Sequence, residues 1–196
     1  YQCDWSSDVC SSDLQDYMPF FNEDDWREVE ETFDIVNQTN TMSTDDIIEG
    51  YLYGWMVIHF HNSGYSQLIA KYLRNVHNVE YRRYYDALFD KIKTSEFIKD
   101  HYNYLNSVVE TYLTTGVLKD VDNHIKGAHG LHGFSYKFFF EHQKEIFELA
   151  STVAESFAPL DKGVWELQSN YIVDPNTQYP LTVASDINVN KIGRAH

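Results

Sequence analysis

Cysteine is almost missing from this chain: there are two in 196 residues, Cys3 and Cys10, and none from position 11 onward. No disulfide framework or thiolate metal site can be built beyond position 10, and a reducing, cytoplasmic setting is the milder expectation. Basic charge is scarce as well. Fifteen Lys and Arg face 30 Asp and Glu, for a net charge of −15. Such a surface repels phosphate backbones, and there is no Lys/Arg stripe to offset it. The basic cluster Arg82 and Arg83 is flanked by Glu80 and Asp86 and reads as a solvated helix face, so nucleic acid is not an expected partner. Long apolar runs are absent too. The longest, Tyr51 to Phe60, falls well short of the roughly 20 residues that cross a bilayer, and no membrane span is expected.

Both ends have an unusual character. Residues 3–14, CDWSSDVCSSDL, resemble a translated sequencing adapter, and KIGRAH at 191–196 resembles another. On that resemblance the chain is a fragment of environmental origin whose natural ends lie outside it, and both segments are excluded from fold reasoning as a fusion scar would be. Leaving them out changes the charge balance to 27 acidic against 13 basic residues. The acidity is therefore intrinsic. About 175 residues remain, enough for one domain with a real core.

What the chain does contain is a series of helical patterns. The organising stretch is Thr39 to Tyr72, TNTMSTDDIIEGYLYGWMVIHFHNSGYSQLIAKY. Ser43 or Thr44 can cap a helix there, with Asp45 and Asp46 beside its free N–H groups. Ile47, Ile48, Tyr51, Leu52, Trp55 and Ile58 recur at helical spacing, and Gly50 and Gly54 lie four apart, so the helix is expected to be buried with another backbone close by. Upstream, Phe33, Ile35 and Val36 alternate with polar residues as in a half-buried strand at 33–39. A second marginal strand is expected at 181–184.

Downstream, a second helix is predicted over Tyr65 to Asn75 and a third on Tyr81, Tyr84, Tyr85, Leu88, Phe89 and Ile92. Thr94 or Ser95 caps a fourth, through Ile98, Tyr102, Leu105, Val109 and Tyr112, which ends at Gly116. Val117 to Phe134, with Gly127, Gly130 and Gly133, reads as a flexible loop. Ser135 then caps a fifth helix that Pro159 stops, and a short piece carries Val164, Trp165, Leu167 and Tyr171. The predicted fold is mainly α: about six helices in an irregular antiparallel bundle with one or two marginal strands. The expected division is an adapter-like 1–16, a loop and residual strand at 17–42, a helical domain at 43–173, an extended tail at 174–190 and adapter-like 191–196.

Chemistry-bearing motifs are few. His59 and His61 bracket Phe60, and residues two apart on a helix do not share a face, so they could chelate one ion only where the helix unwinds. The plainer reading is imidazole near the free carbonyls of a helix end. His129 and His132, with His142 or His124, form the other concentration, yet the His-Glu-x-x-His and paired Glu-x-x-His patterns are both absent. Gly127, Gly130 and Gly133 are not a Gly-x-Gly-x-x-Gly fingerprint, and no Gly-x-Ser-x-Gly elbow occurs. Carboxylate pairs such as Glu30/Glu31 and Asp45/Asp46 read as solvated charge, and the fifteen tyrosines as amphipathic packing with hydroxyls toward water or ligand.

The segment FDIVNQTNTMSTDDIIEGYLYGWMVIHFHNSGYSQLIAKYL at 33–73 resembles the C-terminal region of cobalamin-binding radical SAM proteins. The likeness continues through YRRYYDALFDKI at 81–92 and returns in LQSNYIVDPNTQYPLTV at 167–183. The resemblance implies a parent enzyme with a B12-binding domain, a partial barrel carrying a [4Fe-4S] cluster on Cys-x-x-x-Cys-x-x-Cys, S-adenosylmethionine, and this region as a helical cap. It further implies that 33–41 is a last barrel strand and that Thr39, Thr41, Trp55, His59 and Tyr65 face the cavity as substrate contacts. The cap itself would hold no catalytic group, metal or cofactor, and its partners would be the upstream radical SAM and B12-binding domains of the same chain. A methyltransferase or another modifying enzyme is the expected parent.

Two other readings stay open. One is an autonomous helical binding or interaction module. The other is a metal protein using His129, His132 and His142. A cap should show a contiguous apolar patch near Phe33 to Trp55, whereas an autonomous domain should be sealed there.

Overall fold

A computed structural model of the chain describes residues 37–116 and 130–170. Among them lie seven α-helices and no strand: α1 Thr44–Val57, α2 Gln67–His77, α3 Tyr81–Thr94, α4 Lys99–Thr115, α5 Gly130–Glu141, α6 Gln143–Glu155 and α7 Lys162–Ser169. The mainly α expectation holds. Residues 33–36 and 181–184 of the two expected strands lie outside the described residues, and 37–39 form no strand. Local bonds account for that. Thr39 N–H donates to the Met42 carbonyl at 2.9 Å, and the Thr39 hydroxyl oxygen accepts from Met42 N–H at 3.0 Å. A backbone so engaged is turned rather than free for a ladder.

Helix α1 starts where a capping box can form. Ser43 Oγ accepts from Asp46 N–H at 3.2 Å, and the Asp46 carboxylate accepts from Ser43 N–H at 2.8 Å. These bonds satisfy donors that a helix start leaves free, and the Ser43 hydroxyl, followed by the Ser43 N–H, donates to the Asp46 carboxylate and holds it below the usual range. Helix α1 continues into a single π-helical turn, Ile58–Asn62, closed by an i to i+5 bond from Ser63 N–H to the Ile58 carbonyl at 2.8 Å. The chain then turns back, and Ser66 N–H and Oγ both bond the Phe60 carbonyl.

Helix α2 buries Leu68, Ile69, Tyr72 and Leu73, as its spacing predicts. It ends on Asn78, which takes the left-handed conformation (φ 55°) that Asn tolerates better than most side chains. On α3 the inner face is Tyr84, Tyr85, Leu88, Phe89 and Ile92, but Tyr81 is exposed. Helix α4 begins at Lys99 rather than directly after Thr94 or Ser95, because residues 95–98 form a turn that buries Ile98. Its inner face is His101, Leu105, Val109 and Leu113, while Tyr102 and Tyr112 are half-buried. Gly116 ends it with φ 71°.

The single long fifth helix of the sequence reading is two helices. The chain breaks at His142 (φ −118°, ψ 31°) and resumes at Gln143. Ser135 is not a cap, since α5 starts five residues earlier. Gly130 and Gly133 belong to this helix rather than to a loop, and Gly127 lies outside the described residues.

Helix α1 packs on α4 and α3, α2 on α7 and α6, and α3 on α6. The largest buried side chains, Trp55, Tyr84, Phe60 and Phe139, lie in the common core. In α7 the apolar expectation fails at one position. Trp165 is exposed, whereas Gln168 is buried: its Oε1 accepts from Leu68 N–H at 2.8 Å and its Nε2 donates to the Gly64 carbonyl at 2.5 Å. An amide can serve both needs because it is donor and acceptor at once.

Candidate functional site

The sequence shows one broad apolar stripe on α1, and the structure divides it in two. Ile48, Leu52, Trp55 and Met56 face the core. Ile47, Gly50, Tyr51, Gly54 and Ile58, at the same helical spacing, line a groove of about 390 Å³ with Met42, Trp55 and His132, and Ile47 also packs against the core. An added Cβ at Gly50 or Gly54 would meet nothing within 4 Å. Among the described residues no backbone approaches these glycines, and those residues bury α1 on one side only, whereas the spacing predicts another backbone close by. Met42 and Tyr51 are 43% and 47% exposed, so the apolar surface is continuous from the chain entering α1 to its end.

Behind the groove lies a buried polar cluster. Trp55 Nε1–H donates to Ser135 Oγ at 2.8 Å, and His101 Nε2 lies 3.0 Å from the same oxygen. His59 is wholly buried, stacked on Phe139 at 4.8 Å and edge-on to Tyr136 at 4.7 Å. Its Nε2 lies 3.4 Å from His132 Nδ1, and its own Nδ1 has no partner. Burial, with the neighbouring His132 and His101, pushes His59 down to about 3, and burial with His142 nearby pushes His101 to about 4. Both imidazoles are neutral at pH 7.

The two histidines that bracket Phe60 point apart, as residues two apart on a helix do. While His59 enters the core, His61 Nδ1 lies 2.8 Å from the Tyr85 hydroxyl of α3. They do not converge, and His59 meets aromatic rings rather than free carbonyls. Of the five residues implied as cavity contacts, Trp55 and His59 come together with ring centroids 5.8 Å apart, and only Trp55 lines the groove. Tyr65 is buried behind them against Phe139 at 5.0 Å. Thr39 and Thr41 are exposed and 3.4 Å apart at their hydroxyls, ahead of α1.

Of the residues in the histidine-metal reading, His124 and His129 lie outside the described residues. His132 meets His59, whereas His142 packs on Phe97 and Phe138. Among the described residues no group of three or more His, Cys, Asp or Glu could hold a metal ion. Two tyrosine hydroxyls find partners in the protein: Tyr84 donates to the Ala150 carbonyl in the core, and Tyr53 to Asp86 at the surface.

Ser135, His101 and the groove glycines escape a reading by motif. Gly50 and Gly54 share a helical stripe with Ile47, Tyr51 and Ile58, and that coincidence was the available signal. No described helix is long and apolar enough to cross a membrane.

One curated protein is similar to part of this chain: the cobalamin-dependent radical SAM methyltransferase TokK from Streptomyces tokunonensis, 35% identical over 60 residues. That segment is 31% of this chain and 9% of the relative's length. No family model matches, and no solved structure matches.

Proposed function

We propose that this helical region is the C-terminal cap of a cobalamin-dependent radical SAM enzyme, with its α1 groove on the substrate side of the active site. The open groove carries the reading, together with the 35% identity to a methyltransferase of that kind. A self-contained bundle tends to seal its apolar faces, whereas among the described residues nothing covers Tyr51 beside Ile47 and Ile58 in the groove.

A [4Fe-4S] cluster on Cys-x-x-x-Cys-x-x-Cys needs three cysteines at that spacing, and this chain has only Cys3 and Cys10. The residues present do not fit the cluster, so the radical-generating groups belong to upstream domains of the parent chain. What this region contributes is shape, with Trp55 held by Ser135 at one wall of the groove and His132 at another.

Recovery of the continuous reading frame tests the proposal. A three-cysteine motif upstream, and cluster and cobalamin absorbance in the anaerobically purified full-length protein, are the expected results. A frame that opens near Asp16 without such a motif would overturn it. The second reading, an autonomous binding module, draws on the core that the described helices close among themselves around Trp55, Tyr84 and Phe139.

A further inference from the structure

The tautomers of the His59–His132 pair follow from their surroundings. His59 has one proton to place on two nitrogens, and its Nδ1 is buried without a partner. An orphaned buried N–H is rarer and costlier than an orphaned lone pair. The proton therefore sits on Nε2 and points at His132 Nδ1, 3.4 Å away. His132 must then accept through Nδ1, which puts its own proton on Nε2. His132 also lines the groove, where the Trp55 N–H is already taken by Ser135 and, among the described residues, no lining residue is Lys, Arg, Asp or Glu.

We infer that the groove is a subsite for a small molecule with an apolar body and a neutral carbonyl acceptor, which receives its hydrogen bond from His132 Nε2–H, with His59 as the positioning residue that fixes this tautomer. The mostly apolar lining with few polar groups suits the apolar face of a small ligand. A carboxylate is the wrong partner, because among the described residues no cation lines the groove and burial makes His132 harder to protonate. The glycines fit the same purpose. A methyl group at Gly54 would project into the groove without a clash, so an alanine there takes space from it.

The inference rests on the cap reading only in taking this ligand to be substrate. Its test uses the 196-residue chain, ¹⁵N-labelled, with acetophenone, ethylbenzene and benzoate as probes and the His132 ring nitrogens as reporters. We expect His132 to be the Nε2–H tautomer and its Nε2 signal to shift saturably with acetophenone. Ethylbenzene and benzoate should each bind about three- to tenfold more weakly, the worth of one hydrogen bond. Gly54→Ala should weaken both aromatic probes alike. His59→Phe should leave His132 in mixed tautomers and bring the acetophenone-to-ethylbenzene ratio toward one.

An Nδ1–H tautomer at His132, equal binding of ethylbenzene, or no saturable shift would each overturn the inference, and the wild-type tautomer decides it even if the His59 variant fails to fold. Failure here with a cysteine motif found upstream leaves the cap standing alone. Success without the motif leaves the ligand site standing alone.

Discussion

Trp55 and Ser135, 80 residues apart in the chain, are joined by a 2.8 Å hydrogen bond from the indole N–H to the hydroxyl oxygen. That bond ties the outer helix α1 to α5 directly behind the groove. His101 from α4 reaches the same oxygen at 3.0 Å, so one small side chain serves groups from two other helices. Ser135→Ala would leave the indole N–H buried without this acceptor. The expected loss of stability is about 1–3 kcal/mol, read from urea unfolding. Tryptophan fluorescence of the folded variant should shift as well, because the Trp55 N–H would have lost its acceptor.

Acid should weaken the fold through His59 and His101. Both are held neutral inside the protein, at about 3 and about 4 against an ordinary 6.5, chiefly by burial. As pH falls below 6.5 the unfolded chain takes up protons that the folded chain refuses, and unfolding becomes easier. Their full contribution is present above that value and is lost progressively down toward the folded values. Each histidine adds at most about 1.4 kcal/mol per pH unit in that window. Urea midpoints at pH 7.5, 6 and 5 should fall in order. The fall should be shallower in His101→Phe; an unchanged slope would show that burial of His101 is not its source.

Gln168 offers a separate check on how α7 is held. Its amide bonds Leu68 N–H at the start of α2 and the Gly64 carbonyl just before it. Gln168→Ala removes both partners at once from a buried position, with an expected cost of about 2–4 kcal/mol. Hydrogen exchange at the Leu68 amide should accelerate more than at amides in α3. Uniform acceleration across both helices would mean that the amide supports the whole core rather than this junction.

Much of this arrangement is legible from spacing. The Ser43 cap, the buried faces of α2 and α3 and the stop at Gly116 follow from local rules that need no knowledge of neighbours. What spacing could not show depends on contacts distant in sequence. Spacing shows that His59 and His61 point apart, but where His59 ends up is visible only once Phe139 and Tyr136 of α5 pack against it. Ser135 looked like a cap because Ser caps helices, yet its hydroxyl is used by Trp55 and His101. Gly130 and Gly133 looked like loop residues for a similar reason. At Ser135 tertiary contacts overrode the local preference.

The glycines give the sharpest contrast between structural and functional use. Gly116 has φ 71°, where an alanine is strained, so Gly116→Ala should destabilise by about 1 kcal/mol. Gly54 lies inside α1 in ordinary helical geometry, with nothing within 4 Å of an added Cβ. Alanine there should stabilise the helix by about 0.4–1 kcal/mol, by restricting the unfolded chain. Thermal unfolding of the two variants should therefore shift in opposite directions. A stability gain at Gly54 means that the residue is not required by the fold, and the open groove beside it is then what the missing side chain serves. A loss of stability would instead reveal a backbone or packing constraint on α1, and the groove would no longer explain the glycine.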